Sequence, residues 1–447
     1  MRFRIVCGLV LGAMASPAFA AQPAADAKVV VAGLAPPGVS YRWVDEGPVF
    51  VDQNGMTLYV RAKGKPCPDV RQPPPADAHP LVKIYFTHPI PSCADQWPSM
   101  IAGNDAKPVG DWTIVTNVNG ERQWAFQGAA VHRSYKDFLP GDANGFGRIA
   151  TNIGDASRGG EFDFASPKIL APPVIAPIFR PGFGLSVQGV DGKALYIFKD
   201  DRKSRAARLS LPQNLKQEKW KPVQAGTMAA PIGKWTIASA PSGMKIWAYD
   251  GAPVFTYVDD YEPIDVNGVG LEGAELILLH PVEDAPRGIF VSRTIQGPTF
   301  VDANGMTTYD FHCYLRANGA EGLAQERYAC DSWDNDPMHA EQFCTAPDKC
   351  AANWRPVLAA VDAKARGGSW STAVIPDPER YPLRWRPFKP GDELEKGAVK
   401  AVTYRGRVLY TSTYDKVPGD HWGSVNNGYH AGQSWWPVLA GMRDEGR

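Results

Sequence analysis

The chain reads as an all-β protein of three tandem antiparallel modules with few helices, and three observations predict this. A phrase recurs three times as Trp124-Ala125-Phe126-Gln127-Gly128, Trp247-Ala248-Tyr249-Asp250-Gly251 and Val402-Thr403-Tyr404-Arg405-Gly406, with Pro140, Pro263 and Pro418 following at matched distances. Spacing held over that length marks one folded unit copied. Apolar residues alternate with period two, and few windows show a helical period. The chain is also rich in turn formers and large rings, with 44 Gly, 40 Pro and 14 Trp in 447 residues, which suits turn-rich sheets.

Each element follows in order. Gly47 to Tyr59 matches Gly297 to Tyr309 at ten of thirteen positions, and Asp191-Gly192-Lys193-Ala194-Leu195-Tyr196 is the weaker middle copy. Asn54-Gly55, Asp191-Gly192 and Asn304-Gly305 predict tight hairpins whose central residues take positive φ. A Trp then precedes a proline at Trp97-Pro98, Trp220-Lys221-Pro222 and Trp354-Arg355-Pro356. Short strands read as Gly110 to Val115, Gly233 to Ala238 and Gly368 to Ala373, and the recurring phrase supplies the next strand. The modules span 39–165, 182–285 and 286–447, the last with a Cys-rich insertion at 317–349. Residues 166–181 read as a stiff Pro-rich connector, and 21–38 as an Ala/Pro-rich flexible linker. Separate barrels, sandwiches and one propeller-like ring all satisfy this pattern.

The first 20 residues have the pattern of a secretory signal peptide: Arg2 and Arg4, an apolar run from Ile5 to Met14, and an Ala18-Phe19-Ala20 exit. A periplasmic or secreted protein is therefore expected, with no transmembrane segment and, lacking a cysteine at the cleavage point, no lipid anchor. The formal charge is zero; removing Arg2 and Arg4 leaves 0 − 2 = −2, which argues against a nucleic-acid partner. Six cysteines then remain, Cys67, Cys93, Cys313, Cys330, Cys344 and Cys350, an even count that suits disulfides in an oxidising compartment. Cys67 is expected to pair with Cys93, and the other four allow three pairings. No C-x-x-C-H occurs, so covalent c-type haem is not expected.

Candidate ligands are few. Carboxylates recur five residues apart as Asp137 and Asp142, Asp260 and Asp265, Asp415 and Asp420. Such pairs could hold a hard cation such as Ca²⁺, or each Asp could accept backbone N–H bonds of its own turn; the turn role is the commoner one. His312, beside Cys313, and His421, near His430, are the histidines placed to suggest copper or haem iron. The repeated aromatics could line a stacking groove, but large rings on one face of a strand more often fill a core. Gly268 to Gly273 scans as G-x-G-x-x-G, yet no βαβ unit surrounds it.

These motifs together resemble a family of exported bacterial proteins, a secreted repeat of unknown function that includes lipoproteins with a Tyr-x-(Phe/Trp/Tyr)-x-x-Asp motif. Tyr196, Phe198 and Asp201 fit that motif; Phe255, Tyr257 and Asp260 fit with Phe in the first place. The resemblance covers nearly all the chain beyond the leader and implies a non-catalytic protein. The sequence thus points to an exported binding or scaffold protein with an envelope protein or small ligand as partner. The alternative is an accessory to metal or redox chemistry, a metal ion being the one cofactor these residues offer.

Overall fold

A computed structural model describes residues 28–31, 33–61, 94, 97–145, 162–180, 182–198, 218–240, 242–263, 265–294, 297–313, 347–425 and 433–438. The protein is nearly all-β, with 41% strand against 4% helix, and every pairing between described strands is antiparallel.

One pairing scheme occurs three times. An outer hairpin comes first: Ser40–Val44 with Gly47–Val51, Ile175–Arg180 with Gly184–Gly189, and Phe290–Thr294 with Gly297–Val301. A central strand follows, Tyr59–Arg61, Tyr196–Phe198 or Tyr309–Cys313. Its tyrosine stands opposite His132, Phe255 or Tyr410 on one side and Phe164, Leu276 or Pro437 on the other. The second hairpin pairs Trp112 with Phe126, Trp235 with Tyr249 and Trp370 with Tyr404. Register is copied along with the letters, because a one-residue slip would turn every ring to the opposite face.

The central strand is buried on both faces. In the middle unit Leu195 and Ile197 enter one apolar cluster with Trp235, Trp247 and Tyr249. Ala194, Tyr196 and Phe198 enter another with Trp220 and Phe255. The expectation that the repeated aromatics are core is met: Trp112, Trp235 and Trp370 are at most 1% exposed. Their geometry recurs as well. Tyr59–Trp97, Tyr196–Trp220 and Tyr309–Trp354 meet edge-to-face with centroids 5.5, 5.3 and 5.4 Å apart. That arrangement sets the positive ring edge on the negative face of its neighbour.

Three expectations need correction. Only the glycines of the Asn-Gly and Asp-Gly turns have positive φ, at 77° for Gly55, 76° for Gly192 and 77° for Gly305. In the first and third units these are side-chain-closed loops, in which Asp52 Oδ1 accepts from Asn54 N and Met56 N at 2.8 and 3.0 Å, and Asp302 does the same. The two-residue turns with both φ positive lie instead in the recurring phrase, at Gln127-Gly128, Asp250-Gly251 and Arg405-Gly406. The Pro-rich connector is also part of the fold, since Ile175–Arg180 is the outer strand of the middle unit. Its one paired edge faces Gly184–Gly189, so Pro177 on the open side removes no ladder bond the sheet requires. Finally, part of the supposed flexible linker is ordered: Val30–Val31 pairs with Lys168–Ile169, with Val29 and Val30 buried. Burying these valines offsets the conformational freedom that the Ala/Pro composition suggested.

Among the described residues no helix is long and apolar enough to cross a membrane. Cys350 is buried and disulfide-bonded. Cys67, Cys93, Cys330 and Cys344 lie outside the described residues, as do Asp201, His430 and the leader, and so does the Cys-rich insertion up to residue 346.

Candidate functional site

The recurring carboxylate pairs come together with the central-strand tyrosines. Each first Asp accepts the phenol: Tyr59 donates to Asp137 at 2.8 Å, Tyr196 to Asp260 at 2.7 Å and Tyr309 to Asp415 at 2.7 Å. The other oxygen takes a backbone N–H from seven or eight residues on: Asn144 N to Asp137 at 2.8 Å, Asn267 N to Asp260 at 2.8 Å, Gly423 N to Asp415 at 3.3 Å. Each second Asp closes its own turn. Asp142 Oδ2 accepts from Phe138 N and Leu139 N, Asp265 from Tyr261 N and Glu262 N, and Asp420 from Lys416 N and Val417 N, all between 2.8 and 3.0 Å. Asp is suited to this role because its short side chain reaches backbone donors three and four residues back.

A glycine completes each clamp. A Cβ on Gly268 would lie 2.7 Å from Trp220 Cη2 and 3.1 Å from Tyr196 Cζ; on Gly423 it would lie 2.7 Å from Tyr309 Cζ and 2.9 Å from Trp354 Cη2. Gly145 sits likewise against Trp97 Cη2 at 2.9 Å. Tyrosine, carboxylate, glycine and tryptophan therefore form one interlocked unit. Replacing Tyr59 with Phe should cost about 2 kcal/mol, since it leaves a buried carboxylate oxygen and the Gly145 N–H (3.1 Å from the phenol oxygen) without that partner. Urea denaturation of Tyr59→Phe checks this, and an unchanged midpoint would contradict it.

Burial governs the ionisation of these groups. It raises the pKa of Tyr59, Tyr196 and Tyr309, and the adjacent carboxylates push further the same way. Burial also raises Asp260 and Asp415 against the opposing tyrosine hydrogen bonds. Asp142 is pushed up to about 6, burial outweighing its three backbone N–H donors and the Arg42 guanidinium. Exposed Asp420 moves down, held by the N–H groups of Lys416 and Val417.

As cation ligands the pairs are thus engaged elsewhere, their inner oxygens taken up by phenol and amide donors. Among the described residues, no three His, Cys, Asp or Glu side chains are grouped as metal ligands would be. His421 lies beside Trp422, the rings nearly parallel with centroids 6.4 Å apart. His312 stands opposite Ser434 in the strand pair, with Cys313 opposite Gln433.

Sequence reasoning missed a polar junction where the three units meet. The tip of the first outer hairpin, Asp45-Glu46, reaches both other units. Asp45 accepts Glu283 N at 2.8 Å and the Ser369 hydroxyl, while Ser369 N donates to Glu283 Oε2 at 2.8 Å. Arg405 pairs with Glu46 at 2.6 Å, Arg366 with Glu283 at 3.1 Å, and Gly368 N reaches Asp142 Oδ1 at 3.1 Å. Trp43 stacks on His280 of the middle unit with centroids 5.1 Å apart. A usable signal was available, because the sequence at Asp45-Glu46 departs from the aligned Pro181-Gly182-Phe183 and Ile295-Gln296 of the other copies. Departure from the repeat marks what one copy does alone.

Arg180 was also missed. It is 0% exposed, and its Nη1 donates to Ser186 Oγ and Val187 O at 2.5 and 3.1 Å. Burial lowers it to about 10, so it stays cationic at neutral pH beside Tyr196 and Asp260. Val44 holds the same register position in the first unit, opposite Gly47 as Arg180 is opposite Gly184. No family model, no curated protein and no solved structure matches this chain.

Proposed function

We propose that the protein is an exported, non-enzymatic binding or scaffold protein built of three copies of one β module. One observation carries this reading: the letters held in all three copies, the tyrosine, the paired aspartates, the glycine and the tryptophans, are engaged in structural contacts, all within each copy but for the Gly368 amide on Asp142. Residues kept for catalysis need an open face toward a substrate. These carboxylates face phenols and amides instead. The family resemblance of the motifs agrees with a non-catalytic role.

Metal analysis and an absorption spectrum of protein purified from the periplasm test this directly. No stoichiometric metal and no Soret band are expected. Asp260→Asn should lower stability while leaving metal content unchanged, because its partners are Tyr196 and the Asn267 backbone. A stoichiometric metal lost on that substitution would replace this reading with the metal-accessory one.

A further inference from the structure

The turn before each second hairpin carries a glycine at which another stretch of the chain passes. At Gly110 (φ +54°) a Cβ would lie 3.0 Å from the Leu34 carbonyl oxygen. At Gly233 (φ +61°) it would collide with the Lys28 carbonyl and lie 3.2 Å from Leu170 Cβ. In the third unit Gly367 stands in the same relation to the Pro140 carbonyl. The missing side chain lets a second backbone lie directly on the turn. Three turns therefore each seat a passing backbone, and in the first two the seated segment is the N-terminal one.

That segment is held mainly through its backbone. Val30 and Val31 pair with Ile169 and Lys168, and Leu170 N donates to Val29 O at 2.7 Å. Lys168–Ile169 has no other strand partner among the described residues. Val29 and Val30 are buried, at 6% and 3% exposure, and Ala35 packs against the first unit's aromatic cluster, while Val31 and Leu34 stand 46% and 69% exposed. A short strand paired only by this segment, glycine notches and buried positions for two adjacent valines make up the usual equipment for adding an extended chain to a sheet edge.

We propose that residues 28–31 and 33–35 occupy in cis a groove that binds extended peptide segments bearing two adjacent β-branched residues, so that the strap competes with a peptide partner. The proposal rests on the binding reading for its biological use, but its test is independent of metal content or spectrum. Val30→Asp in the full-length chain should release the strap, because it places a charge in a buried recess. A fluorescently labelled peptide with the sequence of residues 28–35 should then bind that variant at least tenfold more tightly than it binds wild type, by anisotropy. Adding Gly233→Ala should abolish the gain. Equal binding to all three proteins, or no binding to a Val30→Asp variant whose near-ultraviolet spectrum is native, would overturn the proposal. A second measurement needs no variant: in wild-type protein the Leu170 amide should exchange hydrogen much faster than the paired amides of the Trp112 and Trp235 strands. Exchange of all of them at one common, global rate would also overturn it.

Discussion

Gly268→Ala should destabilise the protein by about 3 kcal/mol, with the cause in the clamp and not in the backbone. Gly268 has no positive φ, so alanine meets no conformational penalty there. The new methyl would instead lie 2.7 Å from Trp220 Cη2, 3.1 Å from Tyr196 Cζ and 3.1 Å from Tyr257 Cβ. None of these atoms can yield cheaply: Trp220 is 2% exposed and Tyr196 is tied by its phenol to Asp260. Overpacking a close-packed core costs about 1–3 kcal/mol, and rigid aromatic neighbours place this site at the upper end. Gly270→Ala is the control. Its φ is +78° with open space around it, so only backbone strain of about 1 kcal/mol applies. Guanidinium denaturation midpoints of the two variants decide the matter, and equal losses would mean that the ring contact is unimportant.

The second large effect is a pH dependence carried by two buried groups of opposite sign. The carboxyl of Asp142 rises from 3.8 to about 6, so between those values the folded chain binds more protons than the unfolded one. Stability from this group is fully present below pH 4 and falls as pH climbs through 6, by about 3 kcal/mol in all. His132 does the reverse. Burial lowers it from 6.5 to about 4, so its neutral ring, bonded to the Trp97 carbonyl at 2.9 Å, contributes stability that is present above pH 6.5 and lost toward pH 4. Wild-type stability should therefore vary little on their account between pH 4 and 6.5. Asp142→Asn removes one side of the balance: relative to wild type, the variant should gain about 3 kcal/mol on going from pH 4 to pH 7. Denaturation curves at the two pH values measure this, and parallel behaviour of variant and wild type would refute it.

Both predictions rest on contacts that the recurrence of letters anticipated only in part. Asp142, Asp265 and Asp420 as turn-closing residues were readable, because the donors lie three and four positions away and Asp chemistry is local. The phenol partners of Asp137, Asp260 and Asp415 were not readable. They stand 78, 64 and 106 residues away in sequence, and nothing in a local window encodes which strand crosses beneath a turn. The placement of the tight turns failed for a related reason. Asn-Gly chemistry predicts a positive-φ pair, but Asp52 and Asp302 close those turns with a side chain, while Gln127, Asp250 and Arg405 accept a φ near +50° in the turn that follows the recurring strand. There Phe126 pairs with Ala129, Tyr249 with Ala252 and Tyr404 with Arg407, a register that leaves only two residues to turn.

By itself, then, the chain determined its class, its threefold spacing and its aromatic cores, since alternation, turn residues and ring size act over a few neighbouring positions. Tertiary structure alone decided which carboxylate meets which phenol, how Asp45 and Glu46 tie the first unit to the other two, and that residues 28–31 and 33–35 lie along two glycine turns instead of trailing in solvent. The physical reason is reach. Backbone preferences are set by adjacent atoms, whereas these contacts form only after distant strands have been brought within a few ångströms by burial of the rings between them.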